Sequence, residues 1–345
     1  ICIINYMENY QYINNGLSGL YNLGNTCFMN SCLQILSHSY LLHEELRNIK
    51  NINKTDNKLF IYWIKLNNTL WKKNHLVTPK QFHNELQNIA KKKKNYNFVG
   101  FQQNDAAEFL MFIFDIFHET NKIQVDMKIN GKVLNELDEL AVKCYNEFIN
   151  YHKKDYSIFT KLFYCMSVTN NISLSNNKLI SQNFQSNFIL DLPIFNKVCN
   201  LYDCLEEYFK DHLLLDENGL IDEKTKIKHN IIQKTHIWNF PPILIIALKR
   251  FSYDGRKNKT LVNFPLENLD LNKYTCGYDN KNNIYDLYGI CNHSGVTGGG
   301  HYYSFIKTKE NAWYLFNDSI VKKISNIENE LITSNAYCLF YKRKN

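Results

Sequence analysis

The residue with the greatest chemical reach in this chain is Cys27. It stands in the run Gly24-Asn25-Thr26-Cys27-Phe28-Met29-Asn30-Ser31. Asn25 or Thr26 can cap a helix there, and residues 28, 32, 35 and 36 then fall on one apolar face. A thiol in a first helical turn lies at the positive end of the peptide dipoles, which favours the nucleophilic thiolate. Gly24 allows the close backbone approach that a developing oxyanion requires. A nucleophilic thiol needs a base, and the base needs an orienting partner. His301 follows Gly298-Gly299-Gly300 and opens a strand-like stretch at 302–307. A turn at 308–311 leads into a return strand at 312–316 that ends in Asn317-Asp318. With the turn centred at 309–310, residue 301 faces 317 or 318, and directly opposed Cβ atoms lie about 4.5–5.5 Å apart. An amide or carboxylate there would fix the imidazole tautomer, as in a Cys-His-Asn triad. Taken singly, Cys27 also reads as a buried helical cysteine and His301 as a half-buried strand histidine. Cys32, mid-helix on the apolar face, is assigned to the core, and His293 to a structural role.

These residues must be carried by two kinds of element. Helical periodicity continues through 78–90, 105–117 and 133–152, so roughly the first 155 residues read as mainly α. Beyond residue 158 the pattern shortens and alternates, at 159–168, 186–192, 243–251, 285–292, 302–307, 312–316 and 337–342, with a helix between at 201–213. Helices first and strands later imply an α+β fold. Residues 1–15 carry no pattern and read as a tail or linker, leaving 16–345 as one catalytic domain, helical to about 155 and β-rich from 156. Apolar residues make up 45% of the 345 and aromatics 14%, enough for a large core. The net charge of +7 comes from scattered lysines, with arginine only at 47, 250, 256 and 343, which argues against nucleic-acid binding. Ten cysteines at irregular spacing, with no signal peptide and no apolar run near 18 residues, imply reduced thiols and an intracellular location, cytoplasm and/or nucleus.

Three blocks together resemble the ubiquitin-specific protease (USP) family of deubiquitinases. They are Gly19-Leu20-Tyr21-Asn22-Leu23-Gly24-Asn25-Thr26-Cys27-Phe28-Met29-Asn30, then Gln103-Asn104-Asp105-Ala106-Ala107-Glu108-Phe109-Leu110, then residues 285–318 with Gly300-His301-Tyr302 and Trp313 to Asp318. Residues 241–251, Phe264-Pro265 and Ala336-Tyr337 fit between and after them, so the resemblance runs from about 16 to 342. It implies a papain-like thumb–palm–fingers fold, with Cys27 as nucleophile, His301 as base, Asn317 as third member and Asp318 assisting beside it. It implies Asn22 as a side-chain oxyanion donor, joined by the backbone N–H of Cys27. The reaction implied is hydrolysis after the C-terminal glycine of ubiquitin through an acyl-thioester on Cys27.

Ubiquitin ends in Arg-Leu-Arg-Gly-Gly. Asp105 and Glu108, three apart in an expected helix, match residues that clamp such arginines. Gly298, Gly299, Gly300, Tyr302 and Phe251 would wall a tunnel too narrow for side chains. The expected partners are ubiquitin and ubiquitinated proteins, with no nucleic acid and no membrane, the protein acting as a monomer. Many family members hold a fingertip zinc on two Cys-x-x-Cys pairs. The matching stretches here, 163–183 and 216–237, contain only Cys165, so no metal and no cofactor is expected. Two other readings stand beside this one: a protease for a ubiquitin-like modifier, and a weakly active ubiquitin-binding module.

Overall fold

In a computed structural model, residues 14–47, 58–223, 225–252 and 254–344 are described. The tail expected at 1–15 lies outside them except for its last two residues. Helices come first: α1 (Cys27–Ser37), α2 (Tyr40–Arg47), α3 (Leu59–Lys72), α4 (Lys80–Lys92), α5 (Ala106–Asn121), α6 (Glu136–His152) and α7 (Ile158–Phe163). All eleven residues of α1 are buried, not one face only, because the helix is wedged between α5 and the strands that carry the hairpin. Its polar members are bonded inside: Gln34 Nε2 donates to Ser18 O at 2.7 Å, and Ser37 Oγ donates to Gln34 O at 2.8 Å. Each large apolar side chain buried here contributes roughly 1.5–3 kcal/mol.

Two local expectations change. Helix α3 fills a stretch that periodicity does not single out. Its Trp63 and Trp71 are almost fully buried, and Trp71 Nε1 donates to Ser37 O at 2.8 Å, tying α3 to the end of α1. Residues 159–163, expected in a strand, form α7. Ser157 caps this helix through Thr160 N, and Phe159 and Phe163, one turn apart, pack on Phe114 with ring centroids 5.4 and 4.8 Å away.

The later half is sheet. One sheet runs in the order Ile320–Lys323, Trp313–Asn317, Gly299–Lys307, Ile284–Val296, Ala336–Arg343, Ile243–Leu248, Leu190–Leu192, with Leu269–Asp270 also on Ile284–Val296. All these pairs are antiparallel except the last in the order, which is parallel. Helix α8 (Leu201–Tyr208) ends earlier than expected, and His212–Leu214 becomes a strand. A second sheet projects as Leu179–Asn187, Cys165–Ser173, Ile231–Asn239, His212–Leu214. Amides and hydroxyls bridge its strands: Thr169 and Thr235 hydroxyls meet at 2.9 Å, Gln233 donates to Asn171 Oδ1 at 3.0 Å, and Asn171 donates to Ser181 Oγ at 2.9 Å. Such cross-strand pairs contribute about 0.2–1 kcal/mol each. Among the described residues no group of three or more His, Cys, Asp or Glu side chains is placed to share a metal ion. Among the described residues no helix is long and apolar enough to cross a membrane.

Candidate active site

Cys27 is the first residue of α1 and is 3% exposed. The chain enters through a turn in which Gly24 (φ +103°) and Asn25 (φ +54°) are both left-handed. Thr26 holds the N-cap position, yet neither it nor Asn25 caps the helix with its side chain. Asn25 Nδ2 donates to Phe101 O at 2.8 Å. Thr26 Oγ1 accepts from Leu23 N at 2.9 Å and donates to Asn22 Oδ1 at 3.2 Å. The expected side-chain cap is not formed, and among the described residues no side chain accepts from the first-turn N–H groups beside the thiol. That is the condition under which a helix start can receive an anion.

His301 lies on the strand Gly299–Lys307. The hairpin ladder pairs Ser304 with Phe316 and Lys307 with Trp313. Continued outward, this register sets residue 301 opposite 319, one or two beyond the expected positions 318 and 317. Asn317 is then a diagonal neighbour on the same face, a spacing that long side chains bridge. His301 Nε2 and Asn317 Oδ1 are 2.6 Å apart. Since the amide oxygen only accepts, Nε2 carries the hydrogen and the other ring nitrogen is left for Cys27. The imidazole pKa is raised to about 9, first by the hydrogen bond with the Cys27 side chain, then by the Asn317 bond and the nearby Cys27 and Asp318 charges, against partial burial.

Asp318 stands further off, its Oδ2 at 4.0 Å from His301 Nε2. Its oxygens are held from the other side: Asn22 Nδ2 donates to Oδ2 at 2.9 Å, and Asn30 Nδ2 to Oδ1 at 2.8 Å. The Asn22 oxygen in turn accepts from Gly24 N at 2.9 Å and Thr26 N at 3.2 Å. The Asn22 amide is thus fixed in orientation by donors on its oxygen and a carboxylate on its nitrogen. Leu20 N donates to Asp318 O at 2.8 Å, tying the Cys27 loop to the end of the hairpin.

Beside these residues lies a cleft of about 860 Å³ whose lining includes Asp105, Glu108, Asp191, Phe251, His293 and Tyr302. Asp105 is not within the helix but is the N-cap of α5: its Oδ1 accepts from Ala107 N and Glu108 N at 2.8 and 3.0 Å. Its Oδ2 accepts from Tyr337 Oη at 2.7 Å. Most of its acceptor capacity is therefore used by the protein, which leaves Glu108 as the open arm of the expected pair. Burial and the Asp105 charge raise the Glu108 pKa. Phe251 and Tyr302 form an aromatic wall with two residues the sequence did not assign to substrate, His293 and Tyr337; Phe251 lies 5.1 and 5.2 Å from them, centroid to centroid. Burial lowers the His293 pKa to about 4, so this ring is neutral.

Gly300 does not line the cleft, whereas Gly298 does. A Cβ on Gly300 would fall 2.3 Å from His293 Nε2, so only glycine fits. Gly300 is held by Gln103, whose Oε1 accepts from its N–H at 2.8 Å and whose Nε2 donates to its carbonyl at 3.0 Å. In the sequence Gln103 stands within a matching block but has no task assigned to it. Asp191, a lone acidic residue between two buried leucines, carries no chemical pattern of its own in the sequence.

The family model described as ubiquitin carboxyl-terminal hydrolase matches residues 18–341. The chain belongs to the ubiquitin carboxyl-terminal hydrolase family. Bovine ubiquitin carboxyl-terminal hydrolase 2 is 33% identical over 345 residues, covering 94% of this chain and 55% of the relative. The chicken protein of the same name is 35% identical over 342 residues, covering 94% of this chain and 93% of the relative. The chain spans about half the length of the mammalian relatives it matches. Among solved structures, the SAGA Ubp8/Sgf11/Sus1/Sgf73 DUB module bound to ubiquitin aldehyde aligns with TM-score 0.70 and 25% identity, over 97% of this chain and 71% of that one. The α+β, papain-like architecture of this hydrolase family is therefore the fold of this chain.

Proposed function

We propose that this chain is a thiol-dependent deubiquitinase that hydrolyses the peptide or isopeptide bond after the C-terminal glycine of ubiquitin. The observation that carries the reading is the His301–Asn317 hydrogen bond facing Cys27 at a helix start with no side-chain cap, the Cys27 thiol being the first cause of the raised His301 pKa. Asn317 accepts from Nε2–H and leaves the facing nitrogen to take the Cys27 proton. The thiolate attacks the glycine carbonyl. Negative charge on the carbonyl oxygen is met by the Cys27 N–H and by the second hydrogen of the Asn22 amide, whose first hydrogen is held by Asp318. His301, now protonated, gives its proton to the departing lysine ε-amine, and an acyl-thioester remains on Cys27. Water, deprotonated by His301, releases ubiquitin.

The cleft suits the basic tail that precedes the two glycines. Glu108 and Asp191 offer carboxylates to arginine, and the wall of Phe251, Tyr302, His293 and Tyr337 leaves room for glycine at the cysteine end. The protein works as a monomer, without metal or other cofactor, on ubiquitinated proteins in the cytoplasm and/or nucleus. A ubiquitin probe bearing a C-terminal electrophile tests the central claim. Covalent labelling that disappears in Cys27→Ala supports it. Labelling only by a ubiquitin-like probe, or ubiquitin binding with no labelling, overturns it. Activity unchanged by strong zinc chelation is the expected result for the cofactor statement, and a monomeric mass by light scattering for the oligomeric one.

A further inference from the structure

Away from the catalytic centre, two thiols are held side by side. Cys199 Sγ and Cys204 Sγ are 3.8 Å apart, five residues apart in sequence. Cys199 lies in the short strand Cys199–Asn200, and Cys204 lies in the first turns of α8. The chain between them is fixed by a capping box: Asn200 Oδ1 accepts from Asp203 N at 2.9 Å, and Asp203 Oδ2 accepts from Asn200 N at 2.8 Å. The same strand is anchored outward, pairing with Val262–Asn263. The proximity of the sulfurs is thus a product of local backbone geometry.

The two thiols differ in access. Cys204 is fully buried, and burial pushes its pKa up to about 12. Cys199 is 6% exposed and lines a surface cleft of about 650 Å³ together with Lys197, Lys210 and Asp203. Arg250 is the cation close to both sulfurs; its Nη1 is committed to the carbonyls of Asn258 and Thr260 at 3.0 and 2.9 Å. Another thiol cluster, Cys32, Cys291 and Cys338, is sealed at zero exposure. We propose that Cys199 and Cys204 form a reversible redox dithiol, closed to an intramolecular disulfide by peroxide that enters at Cys199.

The chemistry balances with hydrogen peroxide as the oxidant. Cys199 sulfur attacks one peroxide oxygen: the S–O bond forms, the O–O bond breaks, and the departing hydroxide takes the thiol proton as water. Cys204 sulfur then attacks the Cys199 sulfenic acid: the S–S bond forms, the S–O bond breaks, and the hydroxyl leaves as a second water with the Cys204 proton. A small dithiol reverses the closure by exchange. A bridge across so few residues gains little loop-closure entropy, so it would be a labile bond and not a fold-defining one. None of this depends on what the Cys27 centre cleaves.

The test is peptide mass mapping of the whole chain after peroxide treatment, thiol alkylation under denaturing conditions and proteolysis. The expected product is a peptide containing residues 199 and 204 that has lost two hydrogens, carries no alkyl group, and regains two alkyl groups after dithiothreitol. In Cys204→Ser, whose fold is checked by its melting curve, Cys199 should instead be trapped as a sulfenic acid by dimedone. The conservative Cys199→Ser provides the second arm: Cys204 should then stay reduced and alkylatable at the same peroxide dose. Finding both residues of the wild type alkylated after a dose that oxidises Cys27 overturns the proposal. So does over-oxidation of Cys199 to sulfinic acid while Cys204 remains alkylatable.

Discussion

Between α1 and the His301 hairpin, polar side chains are committed to one another: His301 to Asn317, Asn22 and Asn30 to Asp318, Thr26 to Asn22. In the neighbouring cleft the acidic side chains divide. Asp105 is held by α5 and Tyr337, whereas the Glu108 side chain makes no hydrogen bond or ion pair among the described residues. Asp191 meets Lys249 at 3.7 Å, with both side chains more than half exposed. Prior commitment serves the reacting centre, because groups already oriented need no reorganisation as charge develops. Open charge would serve the proposed recognition of a basic tail, because an arginine must find a carboxylate with capacity left. On this comparison, changes in the seam should act on kcat and changes in the cleft on KM.

The largest effect is expected from Cys27→Ala: turnover should fall at least roughly 10⁴-fold while ubiquitin affinity, measured by calorimetry, is kept. The same variant removes the main cause of the raised His301 pKa. NMR titration should show the imidazole deprotonating near pH 9 in the intact protein and well below that in the variant. The folded pKa lies above the ordinary 6.5, so this proton stabilises the fold below that pH. That contribution is lost as pH rises through about 9, and the melting temperatures of the two proteins should draw together over that interval.

Next in size is Asn22→Ala, expected to lower kcat by about 10²–10³ with little change in KM. Asp318→Ala should do less alone and add little to Asn22→Ala, since the carboxylate acts through that amide. Equal and additive losses in steady-state kinetics would break the assignment of Asp318 as a positioning residue. In the cleft, Glu108→Gln should raise KM about tenfold at low salt, with kcat preserved and the effect shrinking as salt rises. Asp105→Ala should appear instead as a lower melting temperature, a loss of about 1 kcal/mol typical of a removed cap. The smallest effect is expected from Gln103→Ala, a severalfold fall in kcat alone, because this amide reaches His301 only through the Gly300 backbone.

The seam was more legible in the sequence than its supports. Cys27 and His301 lie in contiguous runs whose spacing places them on a helix start and a hairpin. The Asn317 contact holds although the ladder sets 301 opposite 319 and not 317 or 318, because diagonal neighbours share a face with directly opposed ones. Thr26 was misjudged as a cap because propensity describes what a threonine can bond, not whether Asn22 competes for its hydroxyl. Asp105 was placed inside the helix it begins, since helix boundaries depend on one hydrogen bond. Helix α3 and helix α7 were hidden for a different reason. Their aromatic residues suit a strand as well as a buried helix, and only packing against Phe114, Phe117 and α1 decides. His293, Tyr337 and Asp191 come together from distant segments, which spacing cannot reveal.

The burial of α1 on every side has an evolutionary consequence. A helix with no solvent-facing residue leaves little freedom for substitution, so the setting of Cys27 resists drift in the segment that bears it. Change is easier in the cleft walls and in the second sheet, where side chains still face water and substitutions can accumulate without disturbing the thiol.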